Sequence, residues 1–261
     1  MATHGTIYQY YPEKVLSDSE FKWYFTGFVA ADGNLFVGSD YSKSKGIRKV
    51  KRNGPFDQKL EISLNEKDRA LLERLRDEIV PEKPIYERAS TNSVRFTITH
   101  RDIVRHFIDE LGIMPAKSLR LTMPEVPKEY VHHFVRGYVD GDGTWGVAKG
   151  KRTLKTGETR YYYGLRLRVL GTKEFLTQLS ILFDGKKRKP YCRGNFYSLE
   201  TNHSTAEKFA DWIYQDATIF LQRKYDVCSF IRNSDTEQLA ANFGKPSAQY
   251  NTLGVPMYDA A

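Results

Sequence analysis

The 261-residue sequence holds only two cysteines, Cys192 and Cys228. A disulfide framework or a zinc site would need paired spacings, so both thiols are expected to be reduced and structural. No apolar run approaches the roughly 20 residues that span a bilayer, which argues against a membrane-spanning helix. Residues 1–11 lack the charged start and apolar stretch of a secretory signal, and an intracellular protein is expected. No phosphate-cradling loop of the Gly-x-x-x-x-Gly-Lys type occurs, so nothing points to nucleotide hydrolysis. His132 and His133 are adjacent, a spacing that suits no metal-binding helix face, and surface or packing roles are expected.

What is present is an ordinary globular balance, 40% hydrophobic and 28% charged, with a basic excess of 40 Lys and Arg over 32 Asp and Glu. A net charge of +8 is compatible with mere solubility. It also suits a polyanion, because neutralised phosphates release counterions.

Two segments repeat: Phe25-Thr-Gly-Phe-Val-Ala-Ala-Asp-Gly33 and Val135-Arg-Gly-Tyr-Val-Asp-Gly-Asp-Gly143. Gly27 matches Gly137, Val29 matches Val139, Asp32 matches Asp142 and Gly33 matches Gly143. The elements that follow each copy also repeat in order. In the first half, strands are expected at 34–38 and 59–64 around a basic loop at 39–58. A helix at 67–79, strands at 84–88 and 93–98, and a helix at 101–111 follow. In the second half, strands at 144–148 and 161–169 flank a basic loop at 149–160. A helix at 173–183, strands at 189–193 and 195–200, and a helix at 205–214 complete it. Prolines 115, 124 and 127 place a linker at 116–128. The resulting divisions are an extension at 1–17, halves at 18–115 and 129–233, and a tail at 234–261 with little periodicity, expected to be partly disordered.

Each repeated segment reads as a helix end, with Ser17 or Asp18 as cap of the first and a start near Lys128 for the second. Gly33 and Gly143 suit a left-handed residue just past a helix. Gly27 with Ala31, and Gly137 with Gly141, put small residues four apart on one face, where another helix can approach closely. If the two repeats pair, Asp32 and Asp142 emerge together at adjacent helix C-termini. Two carboxylates there oppose both the helix dipole and each other. A divalent cation would relieve the conflict, and carboxylates with free helix-end carbonyls, those of Ala31 and Gly141, form a hard oxygen site suited to Mg²⁺ or Mn²⁺. Asp-Gly pairs also make simple turns, but two copies in matching contexts argue against that reading.

Both segments resemble the LAGLIDADG motif of homing endonucleases, and two copies in one chain resemble the single-chain members. The likeness runs over residues 18–233. It implies an α+β fold, a duplicated αββαββα unit with two central motif helices and two antiparallel four-stranded sheets forming a saddle over double-stranded DNA. The resemblance also implies a monomer that needs no protein partner. It implies cleavage of both strands across the minor groove of a long pseudo-palindromic site, leaving short 3′ overhangs. Asp32 and Asp142 match the family's metal-binding Asp; Mg²⁺ is the implied cofactor, with Mn²⁺ as a substitute and Ca²⁺ supporting binding without cleavage. The sequence departs from the pattern at the sixth motif position, Asp140 in one copy and Ala30 in the other. That position is more structural than catalytic in the family, so little loss of activity is expected. Family members often carry a Lys late in each half, which here matches Lys117 in Leu111-Gly-Ile-Met-Pro-Ala-Lys117-Ser118 and Lys224 in Leu221-Gln-Arg-Lys224-Tyr225. An ammonium near a scissile phosphate stabilises developing charge.

Basic residues recur where such sheets would face DNA. The first half offers Lys43, Lys45, Arg48, Lys49, Lys51, Arg52, Arg88 and Arg95. The second offers Lys149, Lys151, Arg152, Lys155, Arg160, Lys187, Arg188, Lys189 and Arg193, with Arg166 and Arg168 alternating outward to reach base edges. An RNA maturase or a DNA-binding regulator on the same scaffold is the alternative.

Overall fold

In the first sheet, alternate residues of each strand turn inward. Leu60, Ile62 and Leu64 of β2 (Lys59–Asn65) are buried, as are Val94, Phe96 and Ile98 of β4 (Ser93–Ile98). This is the period-2 pattern of a sheet with one covered face. With β1 (Asn34–Phe36) and β3 (Tyr86–Arg88) these strands form an antiparallel sheet of order β1-β2-β4-β3. The second sheet repeats the order as β5-β6-β8-β7, with β5 (Gly143–Thr153), β6 (Thr159–Gly171), β7 (Tyr191–Arg193) and β8 (Phe196–Asn202). The computed structural model describes residues 7–37 and 58–244.

Helices cover the inner faces. In the first half these are α1 (Glu20–Asp32), α2 (Arg69–Ile79) and α3 (Arg101–Arg105), which continues as a π-helical turn, His106–Glu110. In the second they are α4 (Val131–Asp142), α5 (Lys173–Asp184) and α6 (His203–Tyr214). The spacing of Leu71, Leu72, Leu75 and Ile79 on α2, and of Phe175, Leu176, Leu179 and Phe183 on α5, gives each an apolar stripe against its sheet. Thr172 caps α5 by accepting from the Phe175 N–H at 3.1 Å, and Gly185 ends it at φ +75°. The expected α+β architecture of two antiparallel four-stranded sheets is present in full.

Four local expectations are corrected. The cap of α1 is Ser19, which accepts from Lys22 N–H at 3.1 Å. Asp18 instead holds the Lys22 ammonium at 2.9 Å and the Trp23 indole N–H at 3.0 Å. The expected basic loop at 149–160 is mostly ladder: β5 and β6 pair from Gly143↔Val169 out to Thr153↔Thr159. Polarity there reflects a projecting hairpin, where both faces meet water. Residues 222–233 form α7 (Gln222–Asn233), which the polar sequence concealed because only Cys228 and Ile231 of it are buried. The stretch after Ser234 is not all aperiodic. A capping box of Asp235 and Gln238 starts α8 (Thr236–Phe243), which buries Leu239.

Candidate active site and nucleic-acid face

The site begins with the contact between α1 and α4. A Cβ placed on Gly27 would lie 1.9 Å from the Phe134 carbonyl oxygen, and one on Gly137 would lie 2.0 Å from that of Tyr24. One on Gly141 would lie 2.3 Å from the Ala31 Cβ. The helices therefore cross backbone to backbone, as the small residues four apart predict. Gly33 and Gly143 are glycine for a different reason than expected. Both are extended, at φ −67° and −92°, because the chain passes straight into β1 and β5. Their missing side chains make room for the preceding turn: a Cβ would sit 2.8 Å from the Val29 oxygen and 2.5 Å from that of Val139.

Asp32 and Asp142 close the two helices, each one residue before its Gly. Burial raises the Asp142 carboxyl to about 6, with the negative charge of Asp32 as the next cause; Lys117, Lys224 and the Tyr138 hydroxyl pull it back down. Asp32 keeps solvent access but is hemmed in by protein, and lost hydration raises its carboxyl too. The ammoniums of Lys224 and Lys117 oppose that rise, and Asp68 adds to it. The four expected groups are thus in mutual electrostatic reach.

Both lysines lie against helix-end carbonyls. Lys117, in a single 3₁₀ turn after a left-handed Ala116 (φ +58°), donates to the Ala31 oxygen at 2.8 Å. Lys224, in the first turn of α7, donates to Val139 at 3.1 Å, Asp140 at 2.6 Å and Gly141 at 2.9 Å. Burial lowers both lysines and the nearby aspartates hold them up. The carbonyls of Ala31 and Gly141 thus already serve a lysine, leaving one lone pair each for any cation. Among the described residues no three His, Cys, Asp or Glu converge as a metal cage. Two like-charged carboxylates with hydration partly stripped still fit one hard divalent ion, with water completing its shell.

The outward faces of the sheets carry a row of arginines. On the first, Arg88 and Arg95 share that face with Tyr86, and Arg95 meets Glu61 at 3.4 Å. On the second, register places Arg152, Arg160, Arg166, Arg168 and Arg193 on the outer face, where Arg168 is held by Glu200 at 2.5 Å. Lys149 and Lys151 alternate to the other side. Lys149 donates to the Phe243 carbonyl at the end of α8. Lys155 lies in the hairpin turn; Lys187, Arg188 and Lys189 lie between α5 and β7, with Arg188 paired to Asp184. Lys43, Lys45, Arg48, Lys49, Lys51 and Arg52 fall outside the described residues. Sequence reading placed aromatic groups at Tyr161, Tyr162 and Tyr163, of which Tyr162 is exposed on the outer face, but missed those of the edge strands. Tyr86 and Tyr191 are exposed in matching Tyr-x-Arg edge strands, and Lys59 lies 4.4 Å above the Phe36 ring. The repeated Tyr-x-Arg was the available signal.

Comparison with known proteins agrees with this geometry. Residues 25–121 match the family model described as LAGLIDADG endonuclease. Most of the chain is similar in structure to the LAGLIDADG meganuclease I-AabMI bound to uncleaved DNA. The TM-score is 0.53 at 18% identity, covering 83% of this chain and 91% of that one. The I-LtrWI LAGLIDADG homing endonuclease bound to target DNA gives 0.55 at 14%, covering 85% and 94%. I-SmaMI bound to cleaved DNA gives 0.53 at 14%, covering 85% and 92%. The chain has the single-chain LAGLIDADG endonuclease fold. No curated protein sequence matches it.

Within this LAGLIDADG fold lies a buried polar network that sequence reading did not foresee. Arg136 of the second motif helix is fully buried. It donates to the carbonyls of Ile219 (2.9 Å) and Ile213 (2.8 Å) and to Glu20 at the start of α1 (2.6 Å), and it lies over the Tyr24 ring. Glu20 also accepts from the N–H and hydroxyl of Thr218, both at 2.7 Å. Tyr24 donates to Asp140 at 2.8 Å, and the Leu221 N–H donates to the same oxygen at 2.7 Å. Burial raises the Asp140 carboxyl to about 6. The signal was a lone Arg and Asp inside an apolar motif helix. His132 and His133 are buried packing residues, with burial lowering His133 to about 4. Cys228 is buried and Cys192 exposed, both as free thiols.

Proposed function

We propose that this chain is a monomeric, divalent-metal-dependent endonuclease that cuts both strands of a specific DNA site. The observation that carries the reading is the convergence of Asp32, Asp142, Lys117 and Lys224 at two helix ends locked together by glycine contacts. The finer features belong to this reading: a long pseudo-palindromic target, cleavage across the minor groove and short 3′ overhangs. So do halves at 18–115 and 129–233 joined through 116–128. The DNA-bound state of the similar structures supports it.

Asp32 and Asp142 would hold Mg²⁺, or Mn²⁺, and the bound ion would supply Lewis-acid stabilisation of the phosphodiester oxygens. The remaining work falls to the chain. Lys117 and Lys224, anchored on helix carbonyls, present positive charge toward the reacting phosphate, where the like charges of DNA and aspartate would otherwise repel. Arginines on the outer sheet faces hold the backbone and reach base edges. The test is incubation of the protein with a randomised duplex library in Mg²⁺ and in Ca²⁺. Discrete cuts with short 3′ overhangs in Mg²⁺ alone are expected. Tight binding without cuts in either metal contradicts the reading and favours a maturase or regulator.

A further inference from the structure

The two lysines are fastened unequally, and the difference traces to the second motif helix. Lys224 makes three carbonyl hydrogen bonds, whereas Lys117, among the described residues, makes one. Lys224 sits three residues after Leu221, whose N–H is received by Asp140 deep in the core at 2.7 Å. The same Asp140 oxygen receives the Tyr24 hydroxyl from the opposite motif helix. Beside Lys224, Arg223 is bidentate on the buried Asp68 of the first half, at 3.1 and 2.9 Å. The start of α7 is therefore tied to α4, to α1 and to the first half at once. The matching positions around the first motif carry none of these groups. Ala30 replaces Asp140, Thr26 replaces Arg136, and Ala116 precedes Lys117 where Arg223 precedes Lys224.

We propose that Asp140 is a positioning residue: by receiving the Leu221 N–H and the Tyr24 hydroxyl it sets the first turn of α7, and so aims the Lys224 ammonium at the end of α4. Asp140 itself touches no reacting atom. Its removal leaves the Leu221 N–H and Tyr24 hydroxyl without an acceptor in the core, and the helix start is free to shift. Displacing a catalytic group by about an ångström costs up to roughly a hundredfold in rate. That loss falls on the reaction served by Lys224 and spares the one served by Lys117. The proposal rests on the endonuclease reading for its consequence, but not for its geometry.

The experiment compares wild type, Asp140→Ala and Asp140→Asn by two readouts on the full chain. The first is the ¹⁵N spectrum of lysine ammoniums, with the Lys224 signal assigned as the one missing in Lys224→Met. A protected Lys224 signal in wild type, lost in Asp140→Ala and regained in Asp140→Asn, is expected, because the Asn side-chain oxygen still receives the Leu221 N–H. The second is cleavage of a duplex labelled separately on each strand. Asp140→Ala is expected to shift the ratio of the two strand rates by about tenfold or more, with Asp140→Asn restoring the ratio. A Lys224 signal unchanged in Asp140→Ala, or both strands slowed alike as a purely structural role would require, overturns the proposal. If wild type cuts no DNA, the endonuclease reading falls while the ammonium spectrum still decides the positioning.

Discussion

At the scale of single residues, the fold keeps two carboxyls of the second motif helix where carboxylates are ill at ease. Burial, which disfavours the charged form, pushes the Asp142 and Asp140 carboxyls up to about 6, above their ordinary range. A carboxyl raised on folding favours the native state when protonated, so that contribution is complete below about pH 4 and lost as pH rises through 6. The metal-free protein is expected to lose thermal stability across that window. Mg²⁺ is expected to restore it above pH 6 and do little below, where Asp142 holds a proton. Melting curves from pH 4 to 8 with and without Mg²⁺ check this; a metal effect equal at both ends would contradict the placement of the ion at Asp142. The buried Arg136 makes a second prediction. Arg136→Met abandons Glu20 and two carbonyls, and breaking a buried pair costs about 3–5 kcal/mol, to be read by urea unfolding.

These residues also show what a sequence discloses. Asp32 and Asp142 were legible because the motif is duplicated and an acidic residue at a helix C-terminus breaks a local rule. The network of Arg136, Tyr24, Asp140 and Glu20 was not, because its partners lie far apart in the chain: Glu20 and Arg136 are separated by 116 residues. Nothing in local spacing announces such a pairing.

At the scale of elements, the crossing of α1 and α4 decides whether the site exists. Gly27→Ala or Gly137→Ala would push a methyl into a backbone carbonyl that cannot withdraw without separating the helices. Overpacking of this kind costs about 1–3 kcal/mol or more, and both variants are expected to melt well below wild type. Gly150→Ala is the control: its nearest neighbour beyond the adjacent chain is the Tyr162 Cβ at 3.9 Å, and its melting point is expected to stay near wild type. The strands and amphipathic helices were legible from their periods, since each has one covered face. The outer part of the β5 and β6 hairpin, beyond Ala148 and Tyr161, and the helix α7 were not. Their polar outer surfaces hide period, and main-chain ladders or a few buried residues hold them.

At the scale of the whole molecule, the proposed DNA contact would give the arginine rows and the basic excess a common use. Arg166 and Arg168 stand on the outer face of the second sheet while Leu165, Leu167 and Val169 fill its core. A protein that neutralises several phosphates loses affinity steeply as salt rises. Arg152→Ala on the projecting hairpin is expected to weaken binding to all sequences alike and flatten the salt slope. Arg168→Ala is expected to relax discrimination at one base pair by about 1–3 kcal/mol. Affinity measured against salt and against a panel of single-base variants separates the two. Equal behaviour of both variants would contradict the division between phosphate and base contacts.

The central claim is that Asp32 and Asp142 together make one cutting site. The most direct measurement is cleavage of the selected DNA target in Mg²⁺ by wild type, Asp32→Asn and Asp142→Asn, with binding measured in Ca²⁺. Loss of double-strand cutting in both variants, at near wild-type affinity, is the predicted result. Double-strand cutting at the wild-type rate by either variant would show that the chemistry lies elsewhere.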